Sequence, residues 1–296
     1  MYKIKSLYDN IMEIRNQGDT VTISIPDPAN VKVAFGTNIQ DVCPMANGVK
    51  PSETTLTINN LATYMLKFSD VNQVQSQFNL LDGYNAIAMQ KLGDGKDAQV
   101  MQDILTDTNV KRVGTPQAPV VVTKDNIYEQ LVDIRMTLMS NGALNGDGFY
   151  SFRGNNEEME FLKPVFTCDP TIYGLMLKSN QLTHPTAQGD DIINRGEKYE
   201  MAGFEIDVNT VLNNAVATTN NGDNEIVITE LKKGAHVAIA ATKMGVTYAN
   251  QLTKVEKIRD PQCFADIVRG LELYGWLIVH PEAIVACYFE TQAAAA

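Results

Sequence analysis

Residues 254–283 read KVEKIRDPQCFADIVRGLELYGWLIVHPEA, and the parsing of the whole chain follows from this stretch. A charged segment (Glu256, Lys257, Arg259, Asp260) gives way to Asp266 and to Arg269-Gly270. Leu271–Val279 then has the character of a strand and runs into His280-Pro281-Glu282-Ala283. Strand signals recur upstream at His236–Ala241, at Ile226–Thr229 after the hairpin-type turn Asn221-Gly222, and at Phe204–Val208. Glu160–Thr167 reads as a further strand, followed by Asp169-Pro170 as N-cap and first residue of the helix TIYGLMLKS.

Two longer helices precede these. Ile127, Leu131, Ile134 and Leu138 form the apolar stripe of a helix over Lys124–Met139, with Thr123 as cap and Asn141-Gly142 as stop. Val120–Val122 before it reads as a strand. Val71, Val74, Phe78, Leu81, Ala88 and Leu92 fall on one face of a helix over 70–92, a rod of about 35 Å capped by Ser69 or Asp70. Gly93-Asp94-Gly95 should break it before a short helix, Asp97–Leu105. That stripe lacks sustained heptads, so packing inside one subunit is expected rather than a coiled coil.

Toward the start, Ile4, Leu7, Ile11 and Ile14 predict a short helix over 3–16, and Val21, Ile23 and Ile25 alternate as a strand. Between that strand and the strand signals at Thr54–Ile58 and Thr63–Phe68 lies a polar, turn-rich excursion, residues 29–51. A segment this long without its own core suggests an extended β-arm ordered by binding. Helices and strands mix without regular βαβ alternation, so the fold class is α+β. No internal repeat is present.

Composition bounds the functions. The chain has 296 residues, 44% of them hydrophobic and 20% charged, enough for one large domain or two intimate ones with a substantial core. A formal net charge of −11 gives no general basis for gripping phosphate, though such a chain could enclose DNA without holding it. Cys43, Cys168, Cys263 and Cys287 have no CxxC or CxH spacing, which argues against zinc and a disulfide framework. No signal peptide is evident near Met1 and no apolar run approaches a membrane span, so a soluble protein made in a cytosol is expected.

Reaction chemistry finds little support. His184 lies close in sequence to Asp190 and Asp191, but at no spacing that puts ligands on one face, and it reads as a surface loop residue. His236 and His280 read as structural. There is no Gly-x-Ser-x-Gly elbow and no phosphate-binding loop: Gly146-Asp147-Gly148 has Ser151 where a third glycine belongs. Gly93–Asp97 and Asn221–Asp223 resemble calcium loops only loosely and read as solvated turns, Lys96 standing where an oxygen ligand belongs. No catalytic, cofactor or metal residues are assigned.

Three stretches carry a resemblance. They are GDTVTISIPDP (18–28), FTCDPTIYGLMLKSNQLTHPTAQGDDIINRGEKYEMAGFEIDVN (166–209) and HVAIAATKMGVTYANQLTKVEKIRDPQCFADIVRGLELYGWLIVHPEA (236–283). Within them Pro170, Tyr173, Leu177, His184-Pro185 and Ala202-Gly203-Phe204 match in type, as do Asp266, Arg269-Gly270, Tyr274-Gly275 and Pro281-Glu282. The order of parts resembles the major capsid proteins of tailed bacteriophages, the Hong Kong ninety-seven fold. The likeness is nearest to the branch of smaller subunits with a separately encoded scaffolding protein.

That resemblance implies an N-terminal arm at 1–17 and an extended β-hairpin with its base at 18–68. The spine helix and peripheral domain would occupy 69–119, an apical domain 120–242, and a return through the peripheral domain with terminal apical strands 243–296. It further implies a shell subunit and not an enzyme, assembled from hexamers and pentamers of itself in a host cytoplasm. The subunit would end in the virion, enclosing DNA, with a separate scaffolding protein and a portal as partners, and no cofactor or membrane. Asp266, Arg269, Gly270, Lys50 and Lys32 are the expected assembly residues. Two alternatives stay open: an encapsulin-like compartment loading protein cargo, and a hydrolase with a dispersed site.

Overall fold

The run Ile284–Phe289 is apolar at every position, and the reason lies at the centre of the fold. In the computed structural model, which describes residues 8–13, 20–25, 52–70, 80–143, 149–152, 159–179, 200–217 and 225–291, this run is strand β17 (Ile284–Thr291). It pairs antiparallel with β14 (Ala235–Ala241), from Ala235↔Glu290 to Ala241↔Ile284. Ile284, Ala286 and Tyr288 enter one core with Val237, Ile239 and Ala241. Val285, Cys287 and Phe289 enter a second with Ala238 and Ala240. A strand covered on both faces loses the polar alternation of a surface strand.

Strands are numbered in chain order. On the free side of β14 lies β9 (Val165–Cys168), antiparallel, then β11 (Phe204–Val208), parallel, and β10 (Glu200–Met201). On the far side of β17 lie β5 (Lys111–Val113) and β6 (Val120–Val122), both parallel to it and end to end, completing a seven-stranded sheet. Helix α1 (Leu80–Thr106) packs Met101, Ile104 and Leu105 into the first core. Helices α2 (Ile127–Ser140) and α3 (Pro170–Leu177) fill the second, α2 through Ile127, Leu131, Ile134 and Leu138, and α3 through Ile172 and Met176.

A second sheet has four strands. Its centre is the long hairpin of β15 (Val246–Arg259) and β16 (Ala265–Ile278), paired from Val246↔Ile278 to Arg259↔Asp266 with a register shift between Asn250 and Leu252. β4 (Asn60–Ser69) lies antiparallel on β16, and β1 (Tyr8–Glu13) parallel on β15. β2 (Thr20–Ile25) and β3 (Ser52–Thr57) form an antiparallel pair, Thr20↔Thr57 to Ile25↔Ser52. Two minor pairs complete the described strands: β7 (Phe149–Phe152) with β8 (Met159–Leu162), antiparallel, and β12 (Ala215–Val216) with β13 (Ile226–Val227), parallel. The class is α+β, as the sequence implied.

Helix α1 is the element both sheets share. Tyr64 Oη donates to Asn85 Oδ1 (2.6 Å), Tyr274 Oη to Gln99 Oε1 (2.8 Å) and Trp276 Nε1 to Asp103 Oδ2 (2.8 Å). Lys96 and Glu272 meet at 2.7 Å, and Tyr288 Oη donates to the Leu105 carbonyl (2.7 Å). These bonds fasten α1 along its length to β4, β16 and β17.

Capping signals in the sequence hold. Asp169 accepts from the Ile172 N–H at 2.9 Å with Pro170 at the first helical position. Gly142, at φ 78°, ends α2, its N–H bonding the Met139 carbonyl while that of Ala143 bonds Leu138, the paired bonds of a Schellman stop. At the start of α2, however, the cap is Asn126 rather than Thr123. Its side-chain oxygen reaches back to the Thr123 N–H (2.7 Å) instead of a helix amide.

Other expectations are corrected. The helix over 3–16 is contradicted where residues are described: Tyr8–Glu13 is a strand on the edge of β15. An isolated helix of a dozen residues is marginal in water, and a sheet edge supplies a ladder instead. Gly93-Asp94-Gly95 does not break the helix, and Lys96 and Asp97 are buried in it, not in a solvated turn. Two glycines cost about 2 kcal/mol of helix propensity, and burial of Ala98, Val100, Met101, Ile104 and Leu105 on the following turns outweighs that. Asn221-Gly222 falls outside the described residues; the short strands on either side, β12 and β13, pair in parallel. Glu160–Thr167 is interrupted at Lys163-Pro164 into β8 and β9, as a proline without an N–H requires. The charged residues 254–259 form the end of β15, and Asp260 opens the turn that follows.

Candidate assembly surface

The pleat of the β4-β16-β15 sheet sorts its side chains into two faces. On β4 the even positions 62–68 are half-buried and the odd positions 61–67 exposed. Even positions meet α1 through Tyr64, while Leu61, Thr63, Met65 and Lys67 point the other way, Met65 being 66% exposed and Leu61 58%. On this second face Leu56 and Ile58 cover the sheet near Leu273 and Leu277, forming a small third core with Ala249. Farther along, toward the β15–β16 tip, the face is open.

Gly270 pairs with Tyr64 on β4, and the Tyr64 ring occupies the helix side of the sheet where a β-carbon at 270 would stand. On the opposite, open face lies a cleft of about 460 Å³, lined by Thr63, Met65, Glu256, Arg269, Gly270 and Leu271. Arg269 donates to Glu256 Oε2 from Nη2 (2.7 Å) and Nε (3.1 Å), and Lys254 pairs with the same carboxylate. Those two cations, Lys254 first, hold the Glu256 carboxyl below its ordinary range.

Asp266 lies three residues before Arg269 and therefore faces the helix side. It accepts from Lys257 (2.9 Å) and Arg259 (3.1 Å), and Arg259 also binds Asp70, Nη1 to Oδ1 at 2.8 Å. The Asp70 carboxyl is held low by that guanidinium, and Arg259 is raised in turn, first by Asp70 and then by Asp266. Asp266 and Arg269, expected together from sequence, thus sit on opposite faces with separate partners. Gly270 joins Arg269 at the cleft. Lys32 and Lys50 lie outside the described residues, as do Cys43, His184, Asp190 and Asp191.

The turn between β15 and β16 is braced from several sides. Lys67 pairs with Asp260 (2.5 Å), whose carboxyl is held low chiefly by that ammonium. Asp260 Oδ1 also accepts from the Gln262 N–H (2.8 Å), and the Asp260 N–H donates to the Ala265 carbonyl (3.0 Å). The Asp70 N–H donates to the Phe264 carbonyl at 3.1 Å. Held this way, the Phe264 ring projects into solvent, 85% exposed.

Sequence reasoning missed these groups for an identifiable reason. The i, i+2 alternation of Lys254/Glu256 against Lys257/Arg259 was the available signal for a two-faced strand. Their partners Lys67 and Asp70 lie on another element. The remaining histidines are structural in their contacts: His236 Nδ1 is 2.5 Å from Asp169 Oδ2, the buried cap of α3, and His280 Nδ1 is 2.8 Å from Glu282. Burial pushes the Cys168 and Cys287 thiols far up. Among the described residues no cluster of His, Cys, Asp and Glu could hold a metal ion, and no helix is long and apolar enough to cross a membrane.

No protein-family model matches the chain, and no curated protein matches its sequence. Solved structures do match its fold. The capsid of the cyanophage P-SCSP1u superposes at a TM-score of 0.67 with 13% identity, over 96% of this chain and 88% of that one. The mature capsid of bacteriophage PhiM1 gives 0.60 at 13% identity, over 99% and 87%. A virus-like particle from Pyrococcus furiosus gives 0.52 at 16% identity, over 96% and 91%. The chain has the fold of phage capsid subunits.

Proposed function

We propose that this chain is a major capsid protein of a tailed phage, many copies of which close into an icosahedral shell around double-stranded DNA. The observation that carries the reading is the near-complete overlap with capsid subunits, over 96–99% of this chain, with no large part left to host another activity. In this reading β1 belongs to the N-terminal arm (1–17) and the β2–β3 pair is the base of the extended hairpin (18–68). α1 is the spine with the peripheral domain (69–119), and the four-stranded sheet is completed by the return (243–296). Strands β6, β9, β10, β11 and β14 of the seven-stranded sheet, with α2 and α3, form the apical domain (120–242), and β17 joins them as a terminal apical strand of the return (243–296). Lys32, Lys50, Asp266, Arg269 and Gly270 serve assembly, Arg269 and Gly270 at the open sheet face and Asp266 on the helix side, where it holds Lys257 and Arg259. Weak contacts repeated with several neighbours become a stable shell under closed symmetry. A net charge of −11 lets the wall surround DNA without holding its phosphates.

Scaffolding and portal proteins are the expected partners, and assembly takes place in the host cytoplasm. A second reading, a shell that loads protein cargo, draws on the match to the virus-like particle from Pyrococcus furiosus. Expression with and without a candidate scaffolding protein, followed by negative-stain electron microscopy, tests both. Closed shells, capsomers or tubes are expected. A monodisperse monomer of 32.6 kDa under every condition would overturn the proposal. Shells co-purifying with one stoichiometric protein inside would favour the cargo reading.

A further inference from the structure

We propose that residues 2–7, which lead into β1, form a strap folded back into the cleft between the ends of α1 and β16. Lys3 and Lys5 then meet Asp103 and Asp107 of the same subunit. The cleft, of about 360 Å³, is lined by Asp103 and Thr106 of α1, by Asp107 just past it, and by Trp276, Leu277 and Ile278 of β16. Among the described residues its two carboxylates meet neutral donors and no cation. Asp103 Oδ2 accepts from Trp276 Nε1 (2.8 Å), and Asp107 Oδ1 from the Asn109 N–H (2.8 Å). Arg112 of β5, close by, donates instead to the backbone carbonyls of Leu105, Thr106 and Asp107. An acidic helix end beside an indole ring suits ammonium groups carried between apolar neighbours.

The segment has that chemistry and starts at the right end of the sheet. Tyr2 and Ile4 alternate with Lys3 and Lys5, and residues 2–8 contain no acid. β1 runs parallel to β15 from Tyr8↔Val246, and Val246 pairs with Ile278, so the chain enters the sheet at the end that carries the cleft. Two strand spacings, about 10 Å, separate β1 from β16. The five steps from Tyr8 back to Lys3 span up to about 17 Å. The cleft also lies where β16 loses its neighbour: β4 pairs with it only as far as Tyr274, which leaves residues 276–278 beyond that ladder. A strap there covers an apolar strand end that would otherwise offer itself to other strands. It is also releasable, because ion pairs open to solvent weaken as ionic strength rises.

Trp276 is the one tryptophan of the chain and supplies a reporter. Dilute, unassembled subunits at low salt would be treated with a carbodiimide, which joins a paired ammonium and carboxylate as an amide with loss of water. Peptide mapping of the single-subunit band should find Lys3 or Lys5 joined to Asp103 or Asp107, and high salt should abolish the link. Lys3→Glu with Lys5→Glu should raise acrylamide quenching of Trp276 fluorescence while the circular dichroism spectrum stays that of the wild type. Asp103→Asn with Asp107→Asn, which keeps an acceptor for the indole N–H, should raise it equally, and all four changes together no further. Quenching that the lysine reversal leaves unchanged would overturn the strap, as would Lys3 and Lys5 joined only to other carboxylates. Links found only between subunits would put a second copy in the cleft and overturn it too. Because unassembled subunits are used, loss of the strap leaves the shell reading standing, and a chain that forms no shells leaves the strap standing.

Discussion

Lys96 and Glu272 meet at 2.7 Å with 5% and 6% of their side chains exposed, so the pair is held with almost no water. The Lys96 ammonium also lies 5.6 Å from the centre of the Tyr274 ring. Removing one member of such a pair strands a buried charge, at roughly 3–5 kcal/mol, whereas replacing both by apolar groups can be close to neutral. Lys96→Met should therefore lower the urea midpoint of the subunit sharply, and Lys96→Met with Glu272→Leu should recover most of the loss. Equal midpoints for wild type and the single variant would show the pair to be solvated. Asp97, next along, has its carboxyl pushed up to about 7, first by burial and then by Asp94, with Asp207 adding to it and Lys96 and the Asn209 amide opposing. Because the folded state holds this proton more tightly, its contribution is full near pH 4 and is lost as pH rises to about 7. Asp97→Asn should remove that slope. The difference between variant and wild-type stability should grow by roughly 2–4 kcal/mol from pH 4 to pH 8, measured by denaturant unfolding across that range. A flat difference curve would place Asp97 in water. Neither residue was legible as buried, because Gly93-Asp94-Gly95-Lys96-Asp97 has the composition of a turn. The partner that makes Lys96 tolerable stands 176 residues away.

At the scale of elements, what the sequence made legible were those whose signal is local. The stripe Ile127, Leu131, Ile134, Leu138 is buried as its spacing requires, and Asp169-Pro170 starts α3. Both depend on residues within a turn or two of each other. β1 and the far end of β15 were not legible, since each exists only because another strand offers it an edge, β1 by a parallel pairing across more than 230 residues. The sheet face was half legible: Arg269-Gly270 stood out, but Tyr64, whose ring fills the helix side beside Gly270, and Met65, which lines the cleft on the other side, did not. The β2–β3 pair supplies the next prediction. Its ladder closes at Ile25↔Ser52, and Leu56 and Ile58 tie β3 and its following turn to the four-stranded sheet. Deleting Asn30–Lys50, with a short Gly/Ser bridge, leaves that ladder and core in place. The variant should stay folded, with a circular dichroism spectrum and melting temperature near wild type, yet form no closed shells. Normal particles from the deletion would refute the assignment of this segment to inter-subunit contacts.

For the whole molecule, charge is the property that changes meaning on assembly. One copy carries 35 acidic and 24 basic residues, and many copies in a shell bring like charges to within tens of ångströms. Ion pairs such as Arg259–Asp70 and Arg269–Glu256 are already satisfied inside the subunit, which leaves the acidic excess to face neighbours. Self-repulsion of this kind opposes condensation, while salt shortens its range from about 30 Å at 0.01 M to about 8 Å at 0.15 M. Apolar surface buried between copies depends far less on salt. Raising ionic strength from 0.01 to 0.15 M should therefore lower the critical concentration for assembly, followed by light scattering with particle identity checked by electron microscopy. The opposite slope, assembly weakening as salt rises, would mean that ion pairs formed between copies hold the shell together. The search for its determinants would then move to the charged rows on β15, Lys254 and Glu256 on one face and Lys257 and Arg259 on the other.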